Sequence, residues 1–196
     1  MAGRGFESHS LRQMTSVQMK KIQKWKKLGQ ETVFEKYGRK INKVVFELPD
    51  GKKADYYLKD EGDVAGILAI TKNGKVILTE QYRPGPDKIL MDLPGGFLDS
   101  GERPEVAAGR EMLEETGYKG DLELVGHTIH CAYSTRKKYI FVARNCFKHA
   151  SAKPEEGEII NVRLVSMGQL RERVRKGQMT DTDLVYLALD YLGIIK

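Results

Sequence analysis

Only two cysteines, Cys131 and Cys146, occur in 196 residues, and they form no CxxC pair. That excludes a disulfide framework and a cysteine-built structural zinc site, and leaves two ordinary thiols suited to a reducing compartment. No apolar run approaches the roughly 18 to 20 residues that a membrane-spanning helix needs, and no apolar signal core stands near the start. A soluble, cytoplasmic protein without membrane partners is expected. Histidine is sparse too: His127 and His130 lie three apart on a predicted strand, which points them to opposite faces, so a histidine metal site is not expected. The dinucleotide fingerprint GxGxxG is also missing, because Gly95 and Gly96 are adjacent and the next glycine is Gly101.

What is present suffices for one full core and a small appendage, with 40% hydrophobic and 31% charged residues. The net charge of +6 is unevenly spread, with Lys20, Lys21, Lys24, Lys26 and Lys27 crowded near the N-terminus. Such a cluster can be a nucleic-acid arm, but short lysine clusters are more often solvated surface, and Trp25 is the only large aromatic among them. Nucleic acid is therefore not the expected partner. Met1 to Gln18 is rich in Gly, Ser and Gln without an apolar period, and reads as an expression leader or a disordered tail (residues 1–18), with the natural start at Met19 or Met14.

From Trp25 to Lys59 the chain alternates as short β-prone pieces, "ETVFEKY", "KINKVVFELPDG" and "KKADYYLK", with a turn at Pro49-Asp50-Gly51. Three short strands bury little by themselves, so residues 19–60 should form a small antiparallel β region that packs on the rest of the chain or on another subunit. Residues 61–196 then read as the main domain. "VAGILAIT" is a near-continuous apolar strand, Asn73-Gly74 a tight turn and "KVILTEQYR" the return strand. "ILMDLPGG" gives a short strand, and Pro104 to Thr116 carries helix signals, with proline in the first turn and Gly117 just past the end. Strands are expected over Leu122–His130, Lys138–Arg144 and "IINVRLVS", and helices over Met167–Lys176 and Asp181–Leu192. Mixed strands with helices outside imply an α/β sandwich.

Between Leu93 and Tyr118 runs "LPGGFLDSGERPEVAAGREMLEETGY". Gly96 to Gly101 has the glycine spacing of a phosphate-binding P-loop, yet the next residue is Glu102 where a lysine is needed. The helix that follows presents Glu111 and Glu115 four apart on one face and Glu114 on an adjoining edge, with Arg110 spaced to pair with Glu114. Like charges at this spacing cost an isolated helix roughly 0.2–0.5 kcal/mol, and a divalent cation between them reverses the sign. Hard oxygen ligands favour Mg²⁺ or Mn²⁺.

A bare "EMLEE" is common on solvated helices, but the whole arrangement is G-x5-E-x7-R-E-U-x-E-E-x-G-U, with U apolar or aromatic. Gly96, Glu102, Arg110, Glu111, Met112, Glu114, Glu115, Gly117 and Tyr118 fill every fixed place. At about one in fifteen per invariant letter, a chance match has a probability on the order of 10⁻⁸ per start. This pattern is the Nudix box, and the chain resembles a Nudix hydrolase from about Val64 to Leu192. The resemblance implies an α/β/α sandwich with a mixed sheet and a metal-dependent hydrolysis of nucleoside diphosphates linked to another group. It implies Glu111 and Glu115 as principal metal ligands, Glu114 as an additional ligand or water-holder, Glu102 as a supporting acid and the carbonyl of Gly95 as a further ligand. Arg110 is similar to the residue that orients the box glutamates.

The loop "KPEEGEII", Lys153 to Ile160, resembles the acidic loop before a late strand in ADP-ribose and nucleotide-sugar pyrophosphatases, where a glutamate acts as base. Glu158 is the first candidate by position and Glu156 the second. "EQYRPG" and "MDLPGG" also look like that subgroup, whose N-terminal β region forms intertwined homodimers. Arg83 is then a candidate for phosphate contact, with a surface salt bridge as its ordinary alternative. Tyr133 is a candidate to stack on a base, with strand-end packing as its alternative. The proline-containing signature of the ADP-ribose subgroup is absent between Ala132 and Tyr139, which favours a broader nucleotide-sugar range of ADP-ribose, GDP-mannose and ADP-glucose type. The expected reaction is Mg²⁺-dependent hydrolysis to a nucleoside monophosphate and a sugar 1-phosphate. Two alternatives are an RNA 5′-end pyrophosphohydrolase using the lysine-rich segment, and a non-catalytic nucleotide sensor on the same scaffold. A pure binder would have no need to keep so many mutually repelling acids.

Overall fold

The computed structural model describes residues 21–154 and 157–195, so the leader expected over residues 1–18 lies outside the described residues. Three antiparallel strands come first: Lys26–Lys36 (β1), Arg39–Glu47 (β2) and Lys53–Lys59 (β3), in the order β1-β2-β3. They meet at tight turns over Tyr37-Gly38 and Pro49-Asp50-Gly51. β1 is exposed along its whole length, whereas β2 buries Asn42 and Val44. Trp25 lies against Phe46 and Tyr56 at centroid distances of 6.1 and 5.4 Å, so the one tryptophan among the lysines is a packing residue of this sheet.

The second sheet contains Val64–Thr71 (β4), Val76–Arg83 (β5), Lys88–Asp92 (β6) and Gly95–Phe97 (β7), followed by the helix Pro104–Thr116 (α1). Tyr118–Ile129 (β8), Lys137–Lys148 (β9) and Asn161–Val165 (β10) complete it, and the helices Met167–Arg175 (α2) and Thr182–Tyr191 (α3) close the chain. The strand order is β10-β5-β4-β9-β8, with β6 on β5 and β7 on β4. β4 and β9 run parallel from Val64↔Lys138 to Ala69↔Ala143, and the other pairs are antiparallel. This is the expected mixed sheet.

β4 and β9 read as unbroken apolar runs because both of their faces are covered. Ile67, Ala69, Phe141 and Ala143 point to a core shared with Ala107, Ala108 and Met112 of α1. Leu68, Ile140 and Val142 point to the opposite core, shared with Leu170 of α2 and with Leu184, Val185 and Ala188 of α3. The result is an α/β/α sandwich. β8 and β9 extend beyond their expected limits, and His130 falls one residue past β8. The added pairs involve mostly polar residues of an edge hairpin with two register shifts, where backbone pairing is not accompanied by an apolar alternation. Among the described residues, no helix is long and apolar enough to cross a membrane.

Candidate active site

The site forms where β4 and β5 part. They pair at Ala69↔Ile77 and Ile70↔Val76; beyond these, β6 takes the edge of β5 and β7 the edge of β4. Leu93 and Pro94 span the gap, with the Ile67 N–H donating to the Pro94 carbonyl at 2.9 Å. Gly95 and Gly96 are therefore squeezed between β4 and α1. A Cβ on Gly95 would stand 2.0 Å from the Ala65 carbonyl oxygen, at a φ of +149°, and one on Gly96 would stand 2.5 Å from Glu111 Oε1. Only glycine permits both approaches.

α1 starts with Pro104 and ends on Gly117 in the left-handed conformation, whose N–H donates to the Leu113 carbonyl. Its buried stripe runs Ala108, Met112, Glu115, so a carboxylate occupies the next core position after two apolar ones. Glu115 is 5% exposed, and its Oε2 accepts a hydrogen bond from the Gly95 N–H at 2.8 Å. Burial pushes its carboxyl up to about 8; the charges of Glu111 and Glu158 act in the same direction, and the Gly95 N–H and Arg83 oppose them. Burial also raises Glu111, against the pull of Arg110.

Arg110 gathers the remaining box acids. It donates to Glu102 from Nε at 3.1 Å and from Nη2 at 2.9 Å, and from Nη1 to Glu111 at 2.9 Å and Glu114 at 3.2 Å. Nη2 also donates to the Phe97 carbonyl at 3.0 Å, which ties the glycine strand to the helix. The bond from Arg110, helped by the Asp99 N–H, holds Glu102 below the usual carboxylate range. The Glu114 pairing follows from helical spacing, whereas those to Glu102 and Phe97 required the folded loop.

The acidic loop is anchored to the same helix. Lys153 N–H donates to the Glu114 carbonyl at 2.7 Å, and the His149 and Ala150 N–H groups share the Gly117 carbonyl. Glu158 is exposed and borders the cleft beside Gly95, Gly96 and Glu115. Glu156, the second base candidate, lies outside the described residues together with Glu155.

Arg39, Arg83, Arg136 and Lys138 also line this cleft, which has a volume of about 250 Å³. Arg39 comes from the small sheet, and it and Arg136 flank the Phe97 ring at 5.9 and 4.7 Å. Arg83 is in the cleft wall and its Nε donates to the buried Asp92 at 2.7 Å. Tyr133 is not brought to the cleft: its ring stacks on Tyr56 at 6.3 Å, joining the small sheet to the turn after β8. Packing explains its position, the alternative that strand-end tyrosines commonly represent.

A family model for the NUDIX domain matches residues 60–183, more than half of the chain. The chain belongs to the NUDIX family. Relatives cover nearly all of it: a methanol dehydrogenase activator of Bacillus methanolicus is 27% identical over 90% of this chain and 96% of its own length. An ADP-ribose pyrophosphatase of Bacillus subtilis is 27% identical over 86% and 92%. A mouse ADP-sugar pyrophosphatase is 36% identical over 56% of this chain and 49% of its own. A crystal structure of an ADP compounds hydrolase superposes with a TM-score of 0.74 over 90% of this chain and all of the other, at 22% identity, which shows the shared fold.

NUDIX hydrolases generally use divalent metal ions, and the donor set here suits one. Buried Glu115 and half-buried Glu111 are hard oxygen donors raised by desolvation and by neighbouring carboxylates, Glu111 and Glu158 acting on Glu115 and Glu114 and Glu158 on Glu111, an electrostatic deficit that a divalent cation offsets. Among the described residues, no group of three or more His, Cys, Asp or Glu side chains stands arranged to hold an ion. Glu102, Glu111 and Glu114 are each paired with Arg110 in this NUDIX site.

Sequence reasoning passed over Asp92 and Lys138. Asp92 interrupts the apolar run "ILMDL", and a charged residue at a core position of a strand is the signal that marks it, whereas Lys138 stands beside Lys137 ahead of "YIFVA" and carries no such signal.

Proposed function

We propose that this NUDIX protein is a pyrophosphatase that hydrolyses the diphosphate linkage of nucleoside diphosphate sugars, with ADP-ribose and ADP-sugars foremost and GDP-mannose within its range. The observation that carries this reading is the meeting of acids and cations around Gly95-Gly96. Glu115 and Glu158 line the same cleft as Arg39, Arg83, Arg136 and Lys138, and Glu111 lines the adjoining hollow, which shares Gly95, Gly96, Glu115 and Glu158 with it. A diphosphate requires both: cations to hold its oxygens, and acids to position and deprotonate water. The names of the Bacillus subtilis and mouse relatives, an ADP-ribose pyrophosphatase and an ADP-sugar pyrophosphatase, support the substrate class.

In this reading Glu111 and Glu115, with Glu114, Glu102 and the Gly95 carbonyl in support, hold Mg²⁺, for which Mn²⁺ substitutes. The bound ion supplies charge neutralisation at the diphosphate and lowers the pKa of water. Arg110 keeps the box acids in place, and Arg83 grips a phosphate oxygen. Glu158 takes the proton of the attacking water as the new P–O bond forms and the bridging P–O bond breaks. The products are a nucleoside monophosphate and a sugar phosphate, which from ADP-ribose are AMP and ribose 5-phosphate. A second copy of the chain covers the exposed face of the small sheet, making a homodimer. Cys131 and Cys146 are both free thiols, which suits the cytoplasm.

The test is incubation with ADP-ribose, ADP-glucose, GDP-mannose and 5′-triphosphate RNA, with Mg²⁺ or chelator, beside Glu115→Gln and Glu158→Gln. Monophosphate release from the sugar compounds should need Mg²⁺ and fall at least about 100-fold in both variants, with Mg²⁺ affinity kept only in Glu158→Gln. Cleavage of RNA alone would refute the substrate assignment, and tight binding without turnover would favour a sensor.

A further inference from the structure

Asp92 is an aspartate at 1% exposure that the proposed reaction does not use. It closes β6 directly before the Leu93-Pro94 link to the glycine strand. A buried carboxylate is costly unless its oxygens are met by donors. Here both are met: Oδ2 accepts from Arg83 Nε at 2.7 Å, while Oδ1 accepts from the Thr180 N–H at 2.9 Å and from Thr180 Oγ1 at 2.6 Å. Arg83 and Thr180 come from distant parts of the chain, the end of β5 and the loop before α3. Asp92 joins them behind the cleft wall.

We propose that Asp92, itself held by Thr180, is a positioning residue that sets the guanidinium of Arg83 for a phosphate of the substrate. The inference rests on the pyrophosphatase reading above. A guanidinium is a planar fork, so a short bond to Nε fixes the plane of the whole group. Arg83 is about one third exposed along its side chain, borders the cleft together with Glu115, and is close enough to lower the Glu115 carboxyl by its charge. A free arginine side chain would lose considerable rotamer freedom on gripping a phosphate, and the Asp92 bond removes that loss in advance. Thr180 holds the other carboxylate oxygen with two donors, so Asp92 cannot turn with Arg83. The same hydroxyl lies 3.3 Å from Asp181, which also borders the cleft.

The experiment is a double-mutant cycle on the full chain with two readouts, the affinity for inorganic pyrophosphate by calorimetry with Mg²⁺ in every arm, and kcat and KM on ADP-ribose. Asp92→Asn, Arg83→Ala, Arg83→Lys, Thr180→Val and the Asp92→Asn/Arg83→Ala double variant are compared, with thermal melts to confirm folding. Asp92→Asn should weaken pyrophosphate binding roughly tenfold, the loss of one charge-assisted bond, and Thr180→Val should weaken it less. The double variant should bind no worse than Arg83→Ala, and Arg83→Lys, which keeps the charge and loses the fork, should resemble Arg83→Ala. On ADP-ribose the losses should fall on KM more than on kcat. Unchanged pyrophosphate affinity in a folded Asp92→Asn, losses that add in the double variant, or no pyrophosphate binding by the wild type would each overturn the proposal. Coupling in the pyrophosphate cycle without turnover of any nucleotide sugar would leave Asp92 as the positioner and refute the pyrophosphatase reading; turnover without coupling would do the reverse.

Discussion

Lys138 shows how one side chain is fixed by the residues around it. Only 7% of its side chain is exposed, and its ammonium donates to Asp181 at 3.0 Å and Asp183 at 2.6 Å, while Asp183 also accepts from Thr128 at 2.7 Å. Burial acts to lower the Lys138 ammonium, but the bonds to Asp183 and Asp181 outweigh it and hold it above its ordinary value. For Asp183, burial acts upward and is outweighed by Lys138 and Thr128, which hold the carboxyl below the usual range. The two shifts have opposite consequences with pH. The depressed Asp183 contributes stability that is present above its unfolded value, about 3.9, and is lost as pH falls through the folded one. The raised Lys138 contributes stability that is present below its unfolded value, about 10.4, and is lost as pH rises through the folded one. Denaturant titrations across this range should show that Lys138→Met lowers the plateau by about 1–2 kcal/mol, less than for a fully buried pair because both acids remain partly solvated. The variant should also flatten the acid limb. An acid limb identical to that of the wild type would refute this account of the cluster.

At the scale of elements, the glycine strand β7 separates two requirements that adjacent residues meet. Gly95 faces backbone: a Cβ there meets the Ala65 carbonyl oxygen and the Gly66 Cα at 2.0 and 2.9 Å. Gly96 faces the end of a side chain, the Glu111 carboxylate. Gly95→Ala should therefore strain the β4–β7 pairing and cost about 2–4 kcal/mol in melts. Gly96→Ala should fold with nearly wild-type stability, because Glu111 can swing away, yet lose on the order of 100-fold in kcat/KM for want of a correctly placed carboxylate. Equal stability losses in the two variants would contradict this division. How much of this was legible beforehand differs by element. The limits of α1 agree with expectation because proline and glycine marked both ends, whereas β8 and β9 ran longer because edge pairing uses polar residues as readily as apolar ones.

At the scale of the whole molecule, the small sheet leaves large apolar side chains open, with Val33 and Phe34 of β1 each about half exposed and Leu28 and Tyr57 also open. Several large apolar side chains left open on one small sheet suit an association surface. Sedimentation at micromolar concentration should give twice the chain mass, and Phe34→Glu should shift the species to monomer while leaving the fold of the second sheet intact by circular dichroism. A monomeric wild type would remove the basis for a second subunit.

By itself, the sequence determined the two strands on either side of Asn73-Gly74, the helix between Pro104 and Gly117, and the four box glutamates with their arginine. Each of these depends on spacing within a short window, and spacing is visible in one dimension. Only the tertiary structure decided that Arg110 would reach Glu102, that Glu158 would border the cleft while Tyr133 would stack on Tyr56, and that Asp92 would meet Arg83 and Thr180. Those contacts depend on where β4 and β5 part and on which strand edge each loop returns to. Long-range backbone pairing settles both, and no local pattern of residues encodes it.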